Sequence, residues 1–215
     1  MRNRFDSQLA RLNNELIGMG SMIEEAIATA VKAVMNGDVE AAKQVMERDM
    51  EINHTERDIE TLCFKLLLQQ QPVARDLRQI SSALKIITDM ERMGDQAADI
   101  CEILVESESI AHSQLPKYIK TMAEETIFMV TTAVEAYVKK DLGMAEMVVD
   151  YDTKIDNLFS QIKADIMDGI RRSTHGDEQA IDILMISKYL EKIGDHAENI
   201  AKWVVFSITG EHFIK

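Results

Sequence analysis

Proline is nearly absent, with two residues in 215, and only nine glycines and two cysteines accompany them. So few helix breakers, set among abundant Ala, Met, Leu, Glu and Ile, leave room for long uninterrupted helices and place the chain in the all-α class. The Val/Thr/Tyr alternation of half-buried strands is missing. Basic side chains are also scarce, 24 against 37 acids for a net charge of −13, which disfavours nucleic acid and anionic lipid and favours cations or basic protein surfaces as partners. No apolar run approaches the ~18 residues of a membrane span. The first thirty residues carry Arg2, Arg4, Asp6, Arg11 and Glu15, unlike a signal peptide, so a soluble, cytoplasmic protein is expected. Cys63 and Cys101 have no C-x-x-C spacing and are expected to be buried thiols. No glycine-rich phosphate loop occurs, and no nucleophile has an evident base and orienter, so no catalytic residue is assigned.

Apolar positions recur at helical spacing from Phe5 through Leu12, Met19, Ile27 and Val34, and this first helix stops at Asn36-Gly37. Asp38 is placed to cap a second helix, which runs to Gln71-Pro72, where the residue before proline leaves the helical region. A third covers about 76–107. Pro116 opens a fourth, a fifth covers about 142–171, and a sixth follows the "RRSTHGDE" turn from about 179 to 208. Segments of about 30 residues span about 45 Å, and short connections between them imply antiparallel neighbours.

The chain repeats itself. At an offset of 103, Ala30, Val31, Ala33, Asp38, Ala42, Val45, Asp49 and Ile52 fall on Ala133, Val134, Ala136, Asp141, Ala145, Val148, Asp152 and Ile155. At an offset of 100, "DMERMGDQAADI" (Asp89 to Ile100) falls on "YLEKIGDHAENI" (Tyr189 to Ile200), so the second connection is three residues longer in the first half. A duplicated three-helix unit explains both offsets. The fold expected is two tandem, pseudo-symmetric antiparallel three-helix bundles, at 1–110 and 116–215.

The repeated segment is acidic and contains a mid-helix glycine. Glu91, Asp95 and Asp99, like Glu191, Asp195 and Asn199, are spaced i, i+4, i+8 and form one row along a helix at the edge of its apolar stripe. Gly94 and Gly194 each cost about 1 kcal/mol relative to alanine and suggest close approach by another helix or a ligand. The second helices offer matching rows, Asp49 with Asn53 and Asp152 with Asp156. Oxygen rows facing each other across a helix pair suit a hard cation such as Mg²⁺, Mn²⁺, Ca²⁺ or iron. The competing reading is a solvated charged face, with Arg92 and Lys192 as internal counter-ions.

Glu51 and His54 spell E-x-x-H, but a carboxylate-bridged di-iron bundle needs two copies, and Lys154 and Asn157 occupy the equivalent positions. His196 points away from the acid row and is expected at the surface. The other histidines form no metal spacing with one another, and the methionines are read as core filler. Trp203, Val204, Val205 and Phe206 form an apolar stretch read as core in preference to a docking face.

"LEKIGDHAENIAKW" (Leu190 to Trp203), "DMERMGDQAADI" and "LLLQQQPVARDLR" (Leu66 to Arg78) resemble the PhoU family of bacterial phosphate-signalling regulators, in the same order and with the same repeat. The resemblance implies a pair of three-helix bundles, a homodimer and no catalytic activity. It also implies a negative regulator that links the ATPase subunit of the phosphate ABC transporter to a sensor histidine kinase, without nucleic acid or membrane insertion. Similar members bind multinuclear iron, zinc or other divalent metals through paired E/D-x-x-x-D motifs. On this chain those motifs are Glu91 with Asp95, Glu191 with Asp195, and Asp152 with Asp156. Asp49 with Asn53 departs by one charge, which implies weaker metal binding in the first half, and Asn199 departs likewise from Asp99. The competing classes are a carboxylate-bridged metalloenzyme and a dimerisation module without metal.

Overall fold

The computed structural model describes residues 2–69, 73–107, 110, 117–172 and 176–212. Six long helices account for nearly all of them: α1 (Arg2–Asn36), α2 (Val39–Gln69), α3 (Ala74–Glu106), α4 (Lys117–Lys139), α5 (Leu142–Arg171) and α6 (Asp177–Thr209). Their ends fall within a few residues of those expected. Pro72, Pro116 and residues 173–175 of the last connection lie outside the described residues.

The two α-hairpin corners show why the chain turns where it does. Gly37 adopts the left-handed conformation at φ 64°, its neighbour Asp38 donates its N–H to Ala33 O at 2.9 Å, and Asp38 Oδ1 accepts from Ala41 N at 3.0 Å. One residue type thus ends α1 and the next starts α2. The second corner repeats this geometry at an offset of 103: Asp141 N reaches Ala136 O at 3.0 Å and Asp141 Oδ1 accepts from Met144 N at 3.0 Å. Here, however, the left-handed residue is Lys140, at φ 55°. A side chain in that conformation costs about 1 kcal/mol that glycine avoids. Lys140→Gly is therefore expected to stabilise the protein by about 1 kcal/mol, read as a higher urea midpoint at unchanged slope.

Helices α1, α2 and α3 pack on one another, as do α4, α5 and α6, and the two bundles join through α3 against α6 and α1 against α4. The inner four helices form a ring, with α2 and α5 seated on its outer sides. Apolar stripes at helical spacing fill both bundles and the junction as one continuous core, including Leu16, Ile23, Ile87, Met90, Ile162 and Ile193. Cys63 and Cys101 are fully buried in it, and burial pushes both thiols up to about 12. Val204 and Val205 are core as expected, while Trp203 and Phe206 sit half-buried with His212 in an aromatic cluster.

The duplication is visible on the α1–α4 face. One cleft of about 260 Å³ is lined by Ile17, Gly20, Ser21 and Glu24 of α1 and by residues from Thr131 to Lys139 of α4. The other, about 400 Å³, is lined by Lys120, Ala123, Glu124 and Ile127 of α4 and by residues from Ala28 to Asn36 of α1. Every lining position of one has its repeat-equivalent in the other, with the helices exchanged. A pseudo-two-fold axis therefore passes between the antiparallel α1 and α4.

Candidate functional site

The acid rows line two seams, α2 against α3 and α5 against α6, as their spacing predicts. In the first seam Asp49 is half-buried, and its carboxyl is raised above the ordinary range by burial first and then by Asp95. Asn53 Nδ2 donates to Asp49 Oδ2 at 3.0 Å and partly offsets this, while Asp99 adds to it. Glu91 is raised by burial, then by Asp95, with Glu56 and Asp49 also contributing against the opposing Arg92. Asp99 is raised by burial, Glu102 and Asp95, and is held down by a hydrogen bond from Tyr189 of α6. All five predicted residues of the first seam thus lie together.

In the second seam Asp152 is the most perturbed carboxylate, pushed up to about 6 by burial, then by Glu198, Asp156 and Asp195, against a weaker pull from Lys202. Glu191 lies on the same row but is engaged by Lys188. Asn199 is half-buried on the same face of α6.

The glycines explain how the seams close. A Cβ on Gly94 would lie 3.0 and 3.2 Å from the Cδ1 and Cγ2 of Ile52 and 3.1 Å from Asp49 Oδ1. A Cβ on Gly194 would meet Ile155, the repeat-equivalent of Ile52, at 3.2 Å. Both glycines therefore admit a neighbouring helix, and at Gly94 they also admit the carboxylate on it.

The counter-ion reading has direct support. Arg92 lies 3.5 Å from both Glu91 and Asp95, and Lys192 Nζ lies 2.8 Å from Asp195. These pairs are largely solvent-facing and are worth little individually. The carboxylate oxygens that point inward remain without partners: Asp49 Oδ1 and Asp152 Oδ1 are buried with no hydrogen bond, as is Asn53 Oδ1. The oxygen chemistry therefore suits a hard cation, with two unpaired acceptors in the first seam, one carboxylate and one neutral amide, and one carboxylate oxygen in the second. Among the described residues, however, no three acids, histidines or cysteines converge on one point as a closed ligand set.

Two site residues escaped the sequence reading. Glu56 raises Glu91 in the first seam, and Glu198 is the largest charge acting on Asp152 in the second. Each lies seven residues beyond a predicted acid, Asp49 and Glu191 respectively, so the i, i+7 extension of each row was the available signal. The surface reading of His196 is corrected: its side chain is 20% exposed, with Nδ1 2.8 Å from Asp89 Oδ1 across the α3–α6 junction and Nε2 3.3 Å from Gln96 Nε2. It does point away from the acid row, as expected, but toward the other bundle.

The PhoU domain model matches residues 16–104 and again 119–204. The chain belongs to the PhoU family. Both matches fall on three-helix units, so the tandem all-α architecture expected from the repeat is the family's own. The chain is 33% identical over 211 residues to the phosphate-specific transport system accessory protein PhoU homolog of Clostridium acetobutylicum, covering 98% of this chain and 96% of that one. It is 28% identical to the PhoU accessory protein of Escherichia coli over 98% of this chain and 87% of that one. Among solved structures, PhoU from Pseudomonas aeruginosa superposes with a TM-score of 0.88 at 29% identity, over 96% of this chain and all of that one. The phosphate transport system regulatory protein PhoU from Streptococcus pneumoniae superposes at 0.90 and 25%, over 98% of this chain and all of that one. No helix among the described residues is long and apolar enough to cross a membrane.

Proposed function

We propose that this protein is a negative regulator of phosphate uptake and of the phosphate-starvation response. It acts in the cytoplasm as a homodimeric adaptor between the ATPase subunit of a phosphate ABC transporter and a sensor histidine kinase. The observation that supports this best is the end-to-end match to accessory proteins of the phosphate transport system, which spans both bundles. An adaptor has no reaction to catalyse; it shifts an equilibrium by preferring one state of its partners. The test is a phosphate-starvation reporter in phosphate-replete cells lacking the protein. Constitutive expression that the intact chain represses supports the proposal, and a reporter that stays silent without the protein sinks it.

The acid rows supply the metal part of the proposal. Asp49, Asn53, Glu91, Asp95 and Asp99 would hold a divalent or multinuclear ion (iron, zinc, manganese or magnesium) in the first seam. Asp152, Asp156, Glu191, Asp195 and Asn199 would do so in the second. The unpaired Asp49 and Asp152 oxygens support this. A bound cation would tie each outer helix to the ring by neutralising the seam. The Arg92 and Lys192 pairs favour the metal-free alternative, and a thermal melt separates the two. Binding to the native state alone adds about 2.7 kcal/mol at a hundredfold excess over Kd. The wild type is expected to melt higher with Mn²⁺, Fe²⁺ or Zn²⁺, and Glu91→Gln/Asp95→Asn and Glu191→Gln/Asp195→Asn to lose that gain. Equal melts with and without each ion would leave the acids as counter-ion partners.

A further inference from the structure

We propose that the junction of α3, α4 and α6 binds a small doubly charged oxyanion, a phosphate group in size and charge. A cavity of about 130 Å³ there is lined by Arg75, Gln79, Tyr137, Lys140, Ser207 and Ile208. It has room for one tetrahedral oxyanion.

The decisive group is Gln79. Its side chain is 5% exposed, yet its Nε2 has no hydrogen-bond acceptor. The Tyr137 hydroxyl donates to the backbone Gln79 O at 2.8 Å, which holds this cavity-lining residue in place while its buried amide donor stays unpaired. Buried donors are almost always paired, and an acceptor in the cavity would pair this one. Arg78 Nε, beside it on α3, is a second buried donor without a partner.

The charges agree. Arg75 and Lys140 face the same cavity without an ion-pair partner among the described residues, in a chain of net charge −13. Burial first and Arg75 second weaken proton binding at Lys140, while Asp76 opposes them and is the nearby acid an anion would have to tolerate. The N-cap of α3, Val73, offers no side-chain cap to the first-turn amides, which leaves a partial positive end close by.

Lys140 also breaks a local rule. Its repeat-equivalent Gly37 is the residue its left-handed backbone favours, and strain retained at one residue points to a role for its side chain. In the repeat, His175 stands where Arg75 does and Gly37 where Lys140 does, so neither strong base of the lining has a basic Arg or Lys equivalent. The basic pocket therefore exists in one half only, which duplication of architecture does not explain. It lies twelve residues along α3 from Glu91, about 18 Å, and is independent of both the acid rows and the regulatory reading.

The test is isothermal titration of the full chain with inorganic phosphate, glycerol phosphate and ATP, with chloride at matched ionic strength as control. Wild type is expected to show one saturable phosphate site, weakened at least tenfold in Lys140→Gly and in Arg75→Gln. Because Lys140→Gly should melt above wild type without phosphate, its loss of binding is not a loss of fold. Tighter binding of ATP or glycerol phosphate than of inorganic phosphate would assign the site to the phosphate of a larger molecule. No saturable binding of any phosphate compound, or affinities unchanged in both variants, overturns the proposal.

Discussion

Gly94→Leu is expected to destabilise the protein by about 3 kcal/mol, the upper end for overpacking a filled seam. Even the first carbon of the new side chain would lie 3.0 Å from Ile52 Cδ1 and 3.2 Å from its Cγ2. Ile52 is 3% exposed, and moving its branched Cγ2 aside requires a change of rotamer. Gly94→Ala should cost about 1 kcal/mol, because the same clash is partly offset by the better helix propensity of alanine. At Gly194 the nearest approach is 3.2 Å, and the next contacts relax to 3.5 and 3.6 Å. Gly194→Ala should therefore be close to neutral. Urea denaturation of the three variants checks the order. Equal effects at the two glycines would show that α2 does not sit closer to α3 than α5 does to α6.

Asp152→Asn is expected to stabilise the metal-free protein at neutral pH by about 1–2 kcal/mol, after discounting the shift for the side chain's partial exposure. The Asp152 carboxyl titrates at about 6 in the folded protein against an ordinary value near 3.8. A raised carboxylate pKa means the native state binds the proton more tightly than the unfolded chain. Between about pH 4 and pH 6 the native state therefore carries more protons, and stability falls as pH rises through that window. Above it the ionised group keeps its full penalty. Wild type should thus gain stability on acidification from pH 7 to pH 5, and Asp49, Glu91 and Asp99, shifted in the same direction, should contribute likewise. In Asp152→Asn the gain should shrink. Saturating divalent metal would reverse the sign of this mutation, because a ligand would then be lost in place of a repulsion. Melts of both proteins at pH 5 and 7, with and without Mn²⁺, give all these comparisons. A wild type less stable at pH 5 than at pH 7 would contradict the repulsion in the seam.

The helices, their ends and the duplication were legible in the sequence because each depends on residues close together along the chain. A 3.6-residue period marks a buried stripe whatever it packs against, and Gly37 with Asp38 ends one helix and caps the next through local hydrogen bonds. The acid rows were legible for the same reason, since i, i+4 spacing alone puts carboxylates on one face. The repeat added that α2 and α3 should present matching rows. What remained hidden depends on contacts between segments far apart. His196 looked like a surface residue because its partner Asp89 is 107 positions away. Glu198 went unassigned until the packing of α5 placed Asp152 near it. The basic pocket draws one residue pair from the start of α3, another from the end of α4 and a third from the end of α6. No window of sequence contains it. Local periodicity determined which residues each helix would bury; only the packing of α1 on α4 and α3 on α6 decided which charges, and which unpaired donors, would meet.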